Sequence, residues 1–309
     1  IYSFIGAAPE LLNSRPAARV VKLEQSHRLP ARVAALAARI IGRNRDRVAK
    51  RVLPRPGADG EIHRAAHLGE LPLTNGESWM VLFRNWRFAD PLAAELEETG
   101  IPYRIQGEAR YTPWSDRGPL RAARAVYRLS APGGSVTLSE LTALTDKSRV
   151  TTKERPGAWV YGAKSRIEAL AGERPADRVT LAELPELGLT EWGFDRLALR
   201  NLEVLAGGVS ARDLKAWQAA RESGQWDRIL AGASPQVVLS TIHGVKGQQA
   251  DNVAALAACT RMPARNLQDP TRCEEEVRLA YVAVTRAYRR FYTLDGGSMP
   301  FGQPYEVFE

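Results

Sequence analysis

The sequence predicts an α/β protein in which a mostly parallel β-sheet is flanked by helices and carries a mainly helical insertion. Two apolar segments, Ser78–Phe83 and Val237–Ser240, have the length and composition of buried strands. Strand–helix–strand alternation around the first segment resumes after Pro235, and this alternation is typical of a parallel sheet. Residues 108–235 instead have helical periodicity, which indicates a helical subdomain inserted into the α/β domain.

Individual helices follow from periodicity and from the residues that begin or end a helix. Residues 29–50 place apolar side chains at helical spacing, with many arginines on the opposite side. Asp90 is expected to cap a helix that begins at Pro91 and ends at Gly100. Within the insertion, helices are predicted at residues 120–129, 165–170, 195–205 and 211–221.

The composition is that of an ordinary globular protein with an anionic partner. Of 309 residues, 44% are hydrophobic, and the net charge of +8 favours nucleic acid, although an arginine-rich surface gives the same value. Cys259 and Cys273 form no disulfide framework, which indicates a reducing, cytoplasmic setting. No apolar run reaches the roughly 18 residues of a membrane span, so no membrane partner is expected. His63 and His67 favour a solvated helix face over a metal pair, because no third histidine or cysteine is near.

The loop after the second predicted strand has the residues of a phosphate-binding loop. Gly244 and Gly247 allow its backbone to approach a ligand closely. Thr241, His243 and Lys246 add a hydroxyl, an imidazole and an ammonium group, which suit phosphates or a nucleic-acid backbone.

A second polar cluster lies on a predicted amphipathic helix. Val277, Tyr281 and Val284 repeat at helical spacing and predict a buried stripe. Arg286 lies on a different face, near the C-terminal end of the helix. The acidic run Glu274–Glu276 suits the start of a helix, because negative charge there complements the helix dipole.

These two segments resemble motifs V and VI of the superfamily-1 helicases of the UvrD/Rep/PcrA type. Three further blocks occur in the family's order, namely Ile1–Ala7 (tail of motif III), Val20–Arg28 (motif IV), and Trp79–Asn85 with Gly100–Gly107 (the strand–helix–strand block before motif V). The resemblance covers roughly residues 1–107 and 237–294. It implies a RecA-like motor domain of the P-loop-NTPase type.

The resemblance also implies that two arginines act at an ATP site. Arg28 and Arg286 match the arginines that the family places against the triphosphate from the domain across the cleft. Guanidinium groups at that place stabilise the charge that spreads over the phosphoryl oxygens during hydrolysis. A surface or salt-bridged arginine is the alternative for each.

Four further residues match nucleotide contacts of the family. His27 matches a position where the family mostly has a tyrosine that stacks on the base, and a packed or solvent-facing histidine is the alternative. Gln25 is expected to make a second polar contact to the nucleotide. Gly247 lies in the motif V loop, and Gln249 replaces a glutamate that resembles a ribose contact. An amide accepts the same hydrogen bond, but without charge.

The expected DNA contacts come from the same blocks. Tyr2 and Phe4 match aromatic residues on which the family stacks bases, and a core aromatic is the alternative for Phe4. Contacts to backbone phosphates are expected from Arg84, Asn85, Thr241, His243 and Lys246.

The predicted domains are the edge of a first motor domain (1–19), a second motor domain (20–107 and 236–309) and the inserted subdomain (108–235). No Walker A loop or Walker B pair occurs, and Gly157–Ser165 fails as a phosphate loop because Ala163 displaces the lysine. The chain alone is therefore expected to hydrolyse no ATP, with the magnesium ligands expected upstream of Ile1. The implied cofactors are ATP and Mg²⁺.

The expected function is the C-terminal motor portion of an ATP-dependent DNA helicase that moves 3′ to 5′ on single-stranded DNA. Its expected partners are single-stranded DNA, single-strand/duplex junctions and the first motor domain of the same polypeptide. The alternative is a non-catalytic nucleic-acid-binding module that retains the fold, and the presence of both arginines argues against it. Oligomeric state and biological pathway stay open.

Overall fold

A computed structural model of the chain describes residues 23–45, 47, 51–107, 110–205, 208–270, 272–296 and 302–308. The chain divides into two compact units. Unit 1 comprises residues 1–96, 103–110 and 236–309, and unit 2 comprises residues 97–102 and 111–235.

The elements are numbered in chain order. The described strands are β1 (Glu61–Ala65), β2 (Trp79–Phe83), β3 (Tyr103–Ile105), β4 (Ser135–Thr137), β5 (Arg178–Thr180), β6 (Val237–Thr241), β7 (Ala250–Leu256), β8 (Ala258–Cys259), β9 (Ala287–Leu294) and β10 (Gln303–Pro304). The described helices are α1 (Ala31–Gly42), α2 (Ala89–Glu98), α3 (Gly118–Leu129), α4 (Leu138–Lys147), α5 (Ala163–Glu173), α6 (Glu191–Ala198), α7 (Ala211–Glu222), α8 (Trp226–Leu230), α9 (Arg261–Gln268) and α10 (Cys273–Val284).

Unit 1 is built on a six-stranded parallel sheet with the strand order β1-β9-β7-β2-β6-β3. Strands β2 and β6 pair from Trp79 opposite Val237 to Phe83 opposite Thr241. Every residue of both strands is buried, as expected for a parallel sheet that is covered on both faces. The predicted α/β class with its parallel sheet is confirmed.

Helices α1 and α10 pack against each other and share one hydrophobic cluster with the sheet. Met80 and Leu82, alternate residues of β2, belong to this cluster because successive side chains of a strand point to opposite faces. Val277 and Val284 of α10 are buried in the same cluster, and Tyr281 is partly buried against it. The predicted apolar stripe of this helix is therefore confirmed.

Unit 2 contains helices α3 to α8 and a two-stranded antiparallel sheet formed by β4 and β5. Its core includes the fully buried Trp159 and Trp217, and the indole of Trp217 donates to the carbonyl oxygen of Pro113 at 3.0 Å. Helix α4 begins with a capping box formed by Thr137 and Glu140. The predicted mainly helical character is confirmed, whereas α4 and the β4–β5 pair were not predicted.

Two boundary predictions are wrong. Asp90 lies within the first turn of α2 and pairs with Arg110 (3.1 Å), so it does not cap the helix. A 3₁₀ turn at Trp86–Phe88 leads directly into α2, which moves the start of the helix to Ala89. The helix predicted at residues 195–205 ends at Ala198, because the chain turns there into a separate 3₁₀ segment.

The predicted helix face with His63 and His67 is also wrong. His63 lies in β1 and contacts Glu61 at 2.8 Å, whereas His67 lies beyond the strand. Four of the five residues of this edge strand are exposed. Because neither face of the strand is buried along its length, its sequence lacks the alternation of apolar and polar residues from which a strand can be predicted. Among the described residues, no group of three or more His, Cys, Asp or Glu could hold a metal ion, and no helix could cross a membrane.

Candidate functional site

Arg28 and Arg286 lie close together, although most of the sequence separates them. Arg28 lies just before α1, and Arg286 lies in the turn between α10 and β9. Because α1 packs against α10, the two guanidinium groups come within electrostatic range of each other and of Tyr281. The structure therefore joins the two arginines that the sequence assigns to the triphosphate.

Neutral oxygens hold the guanidinium of Arg286 in place. It donates to the carbonyl oxygens of Val282 (3.0 Å) and Gln248 (3.1 Å) and to Oγ1 of Thr285 (2.9 Å). The side chain is buried. Burial, followed by the charge of Arg28, lowers the pKa of Arg286 to about 10. The group is still protonated at neutral pH, but its charge has no neutralising neighbour among these contacts.

Arg28 lies in a similar environment. The side chain is half-buried, burial lowers its pKa, and its Nε is buried with no hydrogen-bond partner among the described residues. In the described part of the chain, no carboxylate is among the groups that act on the charge of either arginine. Two neighbouring guanidinium groups without a counter-ion repel each other, so this place in the fold suits an anion with several oxygens.

The loop between β6 and β7 reaches this arginine pair. Thr241 is buried, and its Oγ1 accepts the backbone N–H of Gly244 at 3.2 Å. A Cβ on Gly244 would lie 2.7 Å from Oγ of Ser240, so only glycine fits this turn without displacement. Gly247 has φ +88 and is exposed, with open space around it. Through the carbonyl oxygen of Gln248, the end of the loop directly contacts Arg286.

Arg84 has a buried partner that the sequence analysis did not identify. Its Nε and Nη2 donate to the carboxylate of Glu276 at 2.8 and 3.0 Å. The side chain of Glu276 is 1% exposed and also accepts from Tyr305 (2.7 Å) and Asn266 (3.2 Å). A phosphate contact by Arg84 stays a prediction, and it would use only the donors that Glu276 leaves.

The other predicted phosphate contacts differ in their surroundings. The side chain of Asn85 accepts the N–H and hydroxyl of Thr260, which precedes α9. His243 is half-buried, and burial, followed by the charge of Arg84, lowers its pKa. Lys246 is exposed. Strands β2 and β6 are parallel neighbours, so Arg84, Asn85 and the β6–β7 loop lie at the same edge of the sheet.

The remaining predicted nucleotide contacts lie on the surface. His27 and Gln249 are exposed. Gln25 is exposed too, and its amide donates to the carbonyl oxygens of Pro54 (2.8 Å) and Ser26 (2.9 Å). Tyr2 and Phe4, the predicted stacking residues, lie outside the described residues.

Sequence reasoning missed Glu276 and Tyr305 as members of the site. The signal for Glu276 is weak, since it is the third of three successive glutamates at a helix start, where exposed acidic residues are common. Its position immediately before Val277 on the buried stripe is the only local indication that it points inward.

A sequence profile for the UvrD-like helicase C-terminal domain matches residues 222–294, which include the β6–β7 loop, α10 and Arg286. Over these residues the chain is similar to the C-terminal domain of UvrD-like helicases. The six-stranded parallel sheet agrees with the RecA-like fold that this family implies.

Curated relatives extend this similarity over nearly the whole chain. The ATP-dependent DNA helicase Rep of Salmonella typhimurium is 25% identical over 98% of this chain and 56% of Rep. Rep of Escherichia coli K12 is 24% identical with the same coverage. The ATP-dependent DNA helicase UvrD2 of Mycobacterium tuberculosis H37Rv is 28% identical over 93% of this chain and 41% of that helicase. The chain thus spans about half the length of the curated relatives it matches.

Proposed function

We propose that this UvrD/Rep-like chain forms the second motor domain of an ATP-dependent helicase that moves 3′ to 5′ on single-stranded DNA and unwinds duplexes. The observation that supports this proposal is the pair Arg28 and Arg286, two guanidinium groups within electrostatic range of each other and without a carboxylate partner in the described part of the chain. Such a pair is unfavourable by itself, because like charges repel and burial removes water. A triphosphate bound across a cleft by a first motor domain would relieve both penalties.

The residues present fit the triphosphate of ATP. The buried Nε of Arg28 has no hydrogen-bond partner in the part of the chain that the structure describes, and the planar guanidinium fork matches phosphate oxygens. Arg286 is fixed by Val282 and Gln248, so it reaches a developing charge with little reorganisation. When bound with Mg²⁺, ATP would supply the phosphoryl group whose hydrolysis drives movement. Magnesium is proposed to be held by residues outside this chain.

The β6–β7 loop offers a physical link between the nucleotide and the DNA strand. Thr241, which ends β6, lies opposite Phe83, next to Arg84, and His243 of the loop is within electrostatic range of Arg84 and Glu276, where backbone phosphates are proposed to bind. The last residues of the loop contact Arg286 through the carbonyl oxygen of Gln248. A shift of Arg286 on ATP hydrolysis would therefore move the β6–β7 loop, which is proposed to hold the DNA strand.

Replacing Arg286 by alanine in the full-length helicase tests this proposal. We expect DNA-stimulated ATP turnover to fall by at least about a hundredfold, because the guanidinium acts on transition-state charge. Single-strand affinity should change little. Arg289→Ala is the matched control, since Arg289 lies three residues further along, in β9, is exposed, and pairs with Glu77 and Asp251.

A loss of DNA affinity with surviving turnover would show that Arg286 contacts the DNA backbone and that the assignment is wrong. Arg286→Lys separates charge from shape, because lysine keeps the charge but loses the fork. The 309-residue chain by itself is expected to show no ATP turnover, measured as phosphate release with and without single-stranded DNA.

A further inference from the structure

Unit 2 contains a cavity of about 260 Å³ that plays no part in the site described above. It lies between α3, the segment after α6, and the connection from α7 to α8. Its walls combine aromatic rings with charged groups, namely Tyr127, Trp226, Arg200, Arg221 and Asp227. The volume is slightly below the roughly 300–1,000 Å³ of ordinary small-molecule sites, which suits one planar ring system.

Arg200 has a backbone conformation that its residue type disfavours. Its φ of 55 is the single left-handed value of a non-glycine among the described residues. The turn is closed by the N–H of Arg200 to Leu197 (3.0 Å) and of Asn201 to Arg196 (2.8 Å), an arrangement in which glycine is usual after a helix. An arginine here carries a backbone penalty that glycine would not. The penalty points to a use for the side chain.

That side chain is aimed at the cavity. The guanidinium carbon of Arg200 lies 4.9 Å from the centroid of the Tyr127 ring, so the cation rests over an aromatic wall. Arg221 lines the same cavity, and both arginines are exposed. Within the described residues, neither guanidinium has an ion pair, and one carboxylate, that of Asp227, lines the same wall. The lining therefore has a net positive charge.

Trp226 provides a rigid ring surface. It is half-buried and packs against the fully buried Trp217 with 5.7 Å between ring centroids. A ring that is supported from behind and open to a cavity can stack on a planar ligand with little loss of conformational entropy. Aromatic rings with adjacent arginines are the features by which proteins bind unpaired nucleotides without regard to sequence.

We propose that this cavity binds one unpaired nucleotide of single-stranded DNA, with the base against Trp226 and Tyr127 and a neighbouring phosphate on Arg200 and Arg221. Asp227 would accept a hydrogen bond from the base edge. The proposal rests on the proposed action of the chain on DNA, and it adds a second contact to the strand, in unit 2.

Arg200→Gly in the 309-residue chain is the decisive variant. Glycine suits the left-handed backbone, so the melting temperature should stay the same or rise. Affinity for a fluorescein-labelled oligothymidylate of about 12 nucleotides, measured by anisotropy, should fall by about tenfold, because a charge-assisted phosphate contact is lost. If the role of Arg200 is purely structural, Arg200→Gly should lower the melting temperature and leave the affinity for the oligothymidylate unchanged.

Two further variants test the other walls. Trp226→Leu should weaken binding of the same oligothymidylate roughly 5- to 140-fold through lost stacking. Arg221→Gln should lower the slope of log affinity against log salt by about 0.7, the value for one single-strand phosphate contact. Arg174→Gln is the control, since it removes one exposed positive charge of unit 2 outside the cavity.

The outcomes separate this inference from the proposed function. If Arg200→Gly, Trp226→Leu and Arg221→Gln all bind like Arg174→Gln, the cavity is not a nucleotide site. Lys246→Gln in unit 1 should weaken binding of the oligothymidylate independently of the cavity variants. If Lys246→Gln has no effect while the cavity variants weaken binding, the nucleotide site in the cavity is supported and the proposed DNA contact of the β6–β7 loop is wrong. Thymidine monophosphate that binds as tightly as the oligothymidylate would overturn the assignment to a strand.

Discussion

Replacing Glu276 by glutamine tests how much the buried pair with Arg84 stabilises unit 1. The carboxylate is 1% exposed and Arg84 is 19% exposed, and two short hydrogen bonds join them. Glutamine keeps the shape but removes the charge, which leaves a largely buried guanidinium uncompensated. Breaking one partner of a buried pair costs about 3–5 kcal/mol. We expect the low end, about 3 kcal/mol, because glutamine still accepts one hydrogen bond and Arg84 keeps some contact with water.

The loss should depend on pH with a definite sign. Burial raises the pKa of Glu276, but hydrogen bonds and charge from Arg84 outweigh it, so the pKa lies below the usual glutamate value. A carboxyl whose folded pKa is depressed contributes stability above its unfolded pKa, about 4.3, and loses it as the pH falls through the folded value. The stability difference between the natural chain and Glu276→Gln should therefore be full at pH 7 and shrink in acid below about pH 4.

Hydrogen exchange of the β2 and α10 amides across a urea series measures this effect, because it reports unit 1 separately from unit 2. The control is Asp295→Asn, which removes a pair of equal length (2.8 Å to Arg64) whose side chains are 40% and 63% exposed. Such a surface pair contributes about 0–1 kcal/mol. If Glu276→Gln loses no more stability than Asp295→Asn, or if its loss does not shrink in acid, the buried pair does not stabilise the sheet edge as argued.

Three further predictions concern the DNA strand and the β6–β7 loop. Phe4→Ala in the proposed helicase should weaken single-strand binding by about 1–3 kcal/mol with little dependence on base sequence. A large fall in melting temperature with unchanged DNA affinity would instead make Phe4 a core residue. His243→Ala should chiefly weaken the stimulation of ATP turnover by DNA while ATP binding persists. Unchanged stimulation would show that His243 does not link DNA binding to ATP turnover. Gly247→Ala should lose about 1–2 kcal/mol of stability, because φ is +88. Gly76→Ala is the control, because Gly76 has φ +85, also lies in open space, and should lose the same amount of stability. Only Gly247→Ala should also impair ATP turnover. Equal turnover in the two variants would contradict a nucleotide role for the β6–β7 loop.

The sequence determined the fold class and the content of the motifs. Apolar runs such as Val237–Ser240 are buried wherever a strand lies inside a parallel sheet, so their composition suffices to predict them. Helical periodicity located α10 and its buried stripe for the same reason. Where local pattern was absent, as in the exposed edge strand β1, prediction failed. At Arg200 it failed because a left-handed arginine carries no sequence signal for the end of a helix.

Only the tertiary structure decided which charged groups meet. Arg84 and Glu276 are separated by 192 positions and pair because β2 and α10 converge. Arg28 and Arg286 approach each other because α1 packs against α10, and both keep their charge without a carboxylate partner among the described residues. Locally, the sequence does not distinguish Arg84 from Arg28 and Arg286, because all three are arginines. Burial and distance depend on packing over the whole of unit 1. They make Arg84 and Glu276 a structural link and leave Arg28 and Arg286 available for phosphate.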